Sequence, residues 1–140
     1  MSLKNLLFTK HKLHFKKGHV IFNENDDGGN EMYFIDSGRV KIVKQVGETE
    51  VSLAVLDSGD FFGELSLITG NKRVASAIAF TDCKLHTMDK ETFESNLFND
   101  KKFLRKILET LAHRIEETDL NLKRHLQRIS RLSKVFNITG

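Results

Sequence analysis

The chain has 140 residues, enough for one domain with a real core and one long accessory element, but not for two ordinary domains. Its 22 Lys and Arg against 19 Asp and Glu leave a formal charge of +3, interspersed through most of the chain and too small to imply nucleic acid by itself. The single cysteine, Cys83, excludes an internal disulfide and a four-thiolate iron–sulfur cluster, and no run of eighteen apolar residues is present to span a membrane as a helix.

At the start, Leu3, Leu6, Leu7 and Phe8 fall at near-helical spacing before Lys10-His11-Lys12, which predicts a short packing helix. Met1 to Lys10 has neither a cationic n-region before an apolar core nor a small-residue cleavage site, so a cytoplasmic, soluble protein is expected. From Leu13 the pattern changes to period two and to short apolar runs broken by turns. Leu13-His14-Phe15, Val20-Ile21-Phe22 and Met32-Tyr33-Phe34-Ile35 read as strands, with the loop Asn25–Asn30 before the third. Asp36-Ser37-Gly38 then reads as a hairpin turn into Val40–Lys44, with glycine supplying a positive φ, and a second hairpin is expected across Gly47 into Val51–Leu56.

The stretch Phe61-Phe62-Gly63-Glu64-Leu65-Ser66-Leu67-Ile68 interrupts the strands with a short helical turn, and Arg73-Val74-Ala75 follows a polar loop. Gly63 lets the backbone approach a ligand closely, and the turn after it offers free N–H groups to an anion. Arg73 supplies a fork-shaped cation, whereas an ionised Glu64 only accepts hydrogen bonds and is tolerable beside a phosphate chiefly if it receives a hydroxyl. Together these features describe a site for a sugar phosphate. The bland reading of Glu64 and Arg73 is a surface ion pair on a β-turn. Strands resume over Val74–Phe80 and Cys83–Met88, read as a last hairpin around Thr81-Asp82 with Cys83 buried in it. About eight strands at short spacing predict a mainly β fold, a closed β-roll or jelly roll, followed by C-terminal helices.

Phe-Gly-Glu-Leu-Ser-Leu followed by Arg-Val-Ala resembles the phosphate-binding cassette of cyclic-nucleotide-binding domains. Gly18, Ser37-Gly38 and Gly59-Asp60-Phe61-Phe62 extend the likeness over roughly Leu13 to Phe98. The resemblance implies that Glu64 takes the ribose 2′-hydroxyl and Arg73 the cyclic phosphate, with backbone amides near Gly63, Leu65, Ser66, Val74 and Ala75 completing the cradle. Many cGMP-selective members carry a threonine where this chain has Val74, so cAMP is the expected ligand and cGMP the second candidate. Lys72 stands where many members have proline, a residue this chain lacks altogether. No further cofactor is expected.

Asp89 is placed to cap a short helix to Phe98, and Asn99 or Asp100 a much longer one. In the long helix Leu108, Ile115, Leu122, Ile129 and Phe136 form one seven-residue series. Leu104, Leu111, Thr118, His125 and Leu132 form the other, giving an a/d seam. The seam predicts a parallel homodimer through Leu108, Leu111, Ile115, Leu122 and Ile129, with Arg114 at g facing Asp119 of the partner subunit at e. The helix resembles the dimer helix of the bacterial catabolite activator family, and aligning Leu111–Ile115 with it implies adenine contacts from Thr118 and Asp119. For Thr118 the other reading is a polar residue that sets register. The organisation expected is a binding domain over 1–98, a dimerisation helix over 99–136 and a tail over 137–140. A helix-turn-helix output module is not expected, and the basic Lys123, Arg124, Arg128, Arg131 and Lys134 read mainly as a solvated face, so nucleic acid is not an expected partner.

An enzyme is not expected. His11, His14, His19 and Glu24 lack metal-ligand spacing, His86, His113 and His125 read as structural or solvent-facing, and no nucleophilic grouping or Walker loop is present. The function expected is a non-enzymatic cyclic-nucleotide sensor that couples binding to its C-terminal helix. The alternatives are a ligand-free dimerisation module on the same fold, or the sensory part of a larger transcription regulator.

Overall fold

The computed structural model describes residues 12–136, so the helix expected over Leu3–Phe8 and the tail over 137–140 lie outside the described residues. The chain divides into two units at Asn96 and Leu97. The first holds eight strands: β1 (Lys12–Phe15), β2 (Val20–Phe22), β3 (Glu31–Ser37), β4 (Val40–Val46), β5 (Thr49–Leu56), β6 (Phe61–Phe62), β7 (Ser76–Ala79) and β8 (Cys83–Asp89). They form two four-stranded antiparallel sheets, ordered β1-β8-β3-β6 and β2-β7-β4-β5. This is the mainly β architecture expected, with α1 (Glu64–Thr69) interrupting it and α2 (Lys90–Asn99) and α3 (Lys101–Phe136) following.

Alternation decides which way each strand faces. In β1 Lys12 and His14 are exposed while Leu13 and Phe15 turn inward, opposite Leu85 and Cys83 of β8. Between the sheets Tyr33, Ile35, Val40, Phe62, Ala77, Ala79, Cys83 and Leu85 make the core. The Cys83 thiol is 3% exposed, and burial raises its pKa. β3 is a continuous apolar run because Met32, Tyr33, Phe34 and Ile35 are buried on both faces. β5, at the edge of its sheet, is exposed along nearly all its length. His86 is buried on β8, its Nε2 3.6 Å from Asp36 Oδ2, whereas His113 is exposed on α3 with its Nε2 3.1 Å from Glu117 Oε1.

Two connections differ from the expected hairpins. β3 pairs with β8 and β6 while β4 pairs with β5 and β7, so the turn at Gly38 carries the chain from one sheet to the other. The turn at Thr81-Asp82 does the same between β7 and β8. These corners brace one another: the Arg39 amide donates to Thr81 Oγ1 at 3.0 Å, and the Phe80 amide donates to the Arg39 carbonyl at 3.0 Å. Period-two alternation looks the same on both sides of a hairpin and of a corner, which is why the sequence pattern does not separate them. The hairpin across Gly47 forms as expected, with Val46 opposite Thr49.

The N-caps of α2 and α3 are both aspartates. Asp89 Oδ1 accepts the Thr92 amide at 2.7 Å ahead of α2, and Asp100 Oδ1 accepts the Lys102 and Phe103 amides at 3.0 and 3.1 Å ahead of α3. The hydrogen bonds to Thr92 hold the Asp89 carboxyl below its ordinary value of 3.8, so its contribution to stability is present above that pH and lost as pH falls through the lower folded value. Asp89→Ala is expected to cost about 1 kcal/mol at neutral pH, read by urea denaturation, with the gap from wild type closing as the medium is acidified. An equal gap at all pH values would deny the carboxylate its capping role.

α3 is 36 residues long and polar on most of its surface, and its apolar seam residues Leu108, Ile115, Leu122 and Ile129 are exposed by 49–69%. Phe103 and Ile107, one turn apart, are buried. No helix among the described residues is long and apolar enough to cross a membrane.

Candidate functional site

The site is built where β6 ends. Gly63 sits at φ +84, a conformation that favours glycine, and a Cβ there would stand 2.9 Å from Arg73 Nη1 and 3.3 Å from Tyr33 Cδ2, so the guanidinium would have to shift. Glu64 opens α1, and Gly70 at φ +74 closes it by donating its amide to the Ser66 carbonyl at 2.9 Å. Thr69 Oγ1 donates to the Leu65 carbonyl and accepts the Asn71 amide, tying the end of α1 to the loop beyond. The first-turn amides of α1 point out of its N-terminal end, where the helix carries its partial positive charge.

Arg73 reaches back to this turn. Its guanidinium donates from Nη1 to the Gly63 carbonyl at 2.8 Å and from Nη2 to the Glu31 carbonyl at 2.9 Å, and its Cζ lies 4.2 Å from the centre of the Phe22 ring. The backbone of Arg73 is clamped as well: its amide donates to the Asp26 carbonyl, and its carbonyl accepts the Asn25 amide. Only 4% of the residue is exposed. Burial lowers the guanidinium pKa, opposed by the nearby Tyr33, Glu31, Glu64 and Asp26. Tyr33 donates its hydroxyl to Glu31 Oε1 at 3.0 Å, and burial first, then Glu31, raise its phenol pKa.

Gly63, Glu64, Leu65 and Ser66 thus form one turn, with Glu64 and Ser66 buried and the Leu65 side chain half exposed. Arg73 is hydrogen-bonded to that turn. Val74 is 55% exposed, and its carbonyl accepts Lys44 Nζ, which also meets Glu24; Ala75 is buried. Glu24 accepts the Gln45 amide and donates its own amide to Ser76 Oγ, anchoring the exit of the cassette to β4 and β7. The Gln45 amide, and then Lys44, hold the Glu24 carboxyl below its ordinary range. A buried Glu64–Arg73 arrangement replaces the alternative of an exposed ion pair. Thr118 and Asp119 belong to α3 in the second unit, where Thr118 Oγ1 donates to the Arg114 carbonyl at 2.9 Å.

Several site residues escape a reading by motif: Phe22, Glu31, Tyr33 and the loop Asn25–Gly29. The loop packs over the cassette. A Cβ at Gly28 would collide with the Asn71 carbonyl and lie 2.7 Å from Ser66 Cβ, and one at Gly29 would lie 3.2 Å from Arg73 Nη2. Adjacent glycines in an otherwise polar loop were the one signal in the sequence of this close approach.

A buried arginine facing the N-terminal turn of α1, on a roll of two four-stranded sheets, is joined by a match of residues 12–100 to the family model described as "Cyclic nucleotide-binding domain". The chain belongs to the cyclic nucleotide-binding domain family. Within it, the chain is 32% identical over 109 residues to the "CRP-like cAMP-activated global transcriptional regulator" of Mycobacterium tuberculosis, covering 77% of this chain and 48% of that protein. It is 36% identical over 96 residues to the "cGMP-dependent protein kinase egl-4" of Caenorhabditis elegans, covering 66% of this chain and 12% of that one. The crystal structure of the Thermus thermophilus catabolite activator protein superposes with a TM-score of 0.72 at 31% identity, over 81% of this chain and 53% of that one. The chain spans half or less of the length of these bacterial relatives in the sequence comparison. As a cyclic nucleotide-binding domain it has the β-roll and the C-terminal helices expected from the sequence, and its relatives include a transcriptional regulator and a kinase regulatory subunit.

Proposed function

We propose that the protein is a non-enzymatic sensor that binds cAMP in preference to cGMP and transmits occupancy to α3. The observation that carries this reading is Arg73. It is a cation 4% exposed whose side-chain hydrogen bonds go to two backbone carbonyls, one of them that of Gly63 at the start of the α1 turn. Burying a guanidinium is costly even with Glu31, Glu64 and Asp26 nearby, and an anion that completes its bonding relieves that cost. Glu64 supplies an acceptor for a sugar hydroxyl in the same turn, and together they fit a nucleotide whose phosphate and ribose are joined. Val74 has no hydroxyl to offer guanine, which supports cAMP. The relatives include proteins described as activated by cAMP and as dependent on cGMP, so the choice between the two rests on this chain's own residues.

On the same reading Thr118 and Asp119 contact the base, the assignment supplied by the likeness to the catabolite activator dimer helix. The protein works in the cytoplasm as a parallel homodimer through Leu108, Leu111, Ile115, Leu122 and Ile129. Ligand then shifts a population between helix pairings. The exposed seam on α3 supports pairing, since several large apolar side chains in one stripe stay in water otherwise. Calorimetric titration of nucleotide-free protein with cAMP, cGMP and AMP tests the reading. The expected result is roughly micromolar or tighter binding of cAMP, about −8 kcal/mol, with cGMP weaker and AMP weakest. No binding of any of the three would leave a dimerisation module on this fold.

A further inference from the structure

Phe22 closes β2, yet its ring lies against the guanidinium of Arg73 at 4.2 Å, inside the range of a cation–π contact. The ring is itself held, with centroids 5.9 Å from Tyr33 and 6.0 Å from Phe62, while Tyr33 and Phe62 stack on each other at 5.1 Å. Two carbonyls accept from two of the five guanidinium N–H donors, and the centre of the Phe22 ring lies 4.2 Å from Cζ, nearer than the Tyr33 ring at 6.0 Å. Edge bonds alone let a planar group tilt about the line joining them; a ring packed 4.2 Å from its central carbon restrains that freedom.

We propose that Phe22 is a positioning residue of the nucleotide site. Its ring sets the plane of Arg73 so that the donors not engaged by Gly63 and Glu31 are fixed in advance for the phosphate. This rests on the nucleotide reading given above. Phe22 acts through Arg73 rather than by touching the anion: a ring face repels negative charge and has no hydrogen bond to give. Without the ring, the guanidinium must be ordered at the moment of binding, and affinity falls accordingly.

The test compares wild type, Phe22→Leu and Phe22→Tyr in the full chain by calorimetric titration with cAMP, with thermal melts of the ligand-free proteins alongside. Phe22→Leu keeps an apolar side chain but loses the ring, and is expected to weaken cAMP binding about tenfold. Phe22→Tyr keeps the ring and is expected to stay within about twofold of wild type. In ligand-free protein the Arg73 Nε–H, followed by NMR, is expected to exchange with water faster in Phe22→Leu than in wild type or Phe22→Tyr. Unchanged affinity in Phe22→Leu, with wild type binding cAMP normally, overturns this inference and leaves the nucleotide reading intact. A loss that Phe22→Tyr shares overturns it too, because both variants then report general packing. A wild-type chain that binds no cAMP overturns the nucleotide reading and takes this inference with it.

Discussion

Arg73→Ala is expected to abolish nucleotide binding at ordinary concentrations and, in the ligand-free protein, to lower the melting temperature as well. The first effect follows from removing a desolvated, charge-assisted partner of a phosphate, worth roughly 2–5 kcal/mol, or on the order of 30-fold to several thousandfold in affinity. The second follows from the contacts of the side chain within the protein. Alanine leaves the Gly63 and Glu31 carbonyls without the donors that meet them at 2.8 and 2.9 Å, and it uncovers the Phe22 ring. Stranding buried carbonyls costs about 1–3 kcal/mol each where water cannot reach them. Arg73 is therefore at once a candidate ligand contact and a rivet between β3 and the α1 turn. Titration with cAMP below the melting range separates the two roles. Unchanged affinity in Arg73→Ala would sink the cassette assignment, whatever the melting curve shows.

Gly38→Ala is expected to be among the most damaging single substitutions in the roll, by about 2–4 kcal/mol in urea denaturation. The residue sits at φ +90, and a Cβ there would collide with the Asp82 carbonyl and come within 2.6 Å of Cys83 Cβ and 2.8 Å of its Cα. Backbone cannot step aside as the end of a long side chain can. Gly59→Ala is the internal control, at φ +95 with nothing within 4 Å of an added Cβ. It should cost only the conformational part, about 1–2 kcal/mol. Equal losses at the two positions would mean that the crossing near Asp82 relaxes freely.

Gly38 also shows where reading the sequence stops. Its positive φ was legible from Ser37-Gly38 before an apolar run, but its partner across the turn was not, because the contact with Asp82 and Cys83 spans more than forty residues. The same division holds at the site. The Gly63–Ser66 turn and Arg73 are legible because their geometry is set within one short stretch, and Asp89 as a cap because capping is local. Phe22 and Glu31 were not legible as site residues. Nothing in a strand's alternation tells which of its carbonyls or rings will meet an arginine from a loop 42 or more positions later. The long helix α3 was legible for the opposite reason, since a helix repeats its own geometry over all 36 residues.

Cys83 lies in the interior between the sheets, is the only thiol in the protein and has a pKa raised by burial. A thiol-specific reagent added to the intact protein therefore meets its target only when the roll opens, and the labelling rate becomes a clock for that opening. A ligand that binds the closed roll slows the clock in proportion to its occupancy, with no probe introduced. The protein carries in its core a reporter for the binding of any ligand that holds the roll closed.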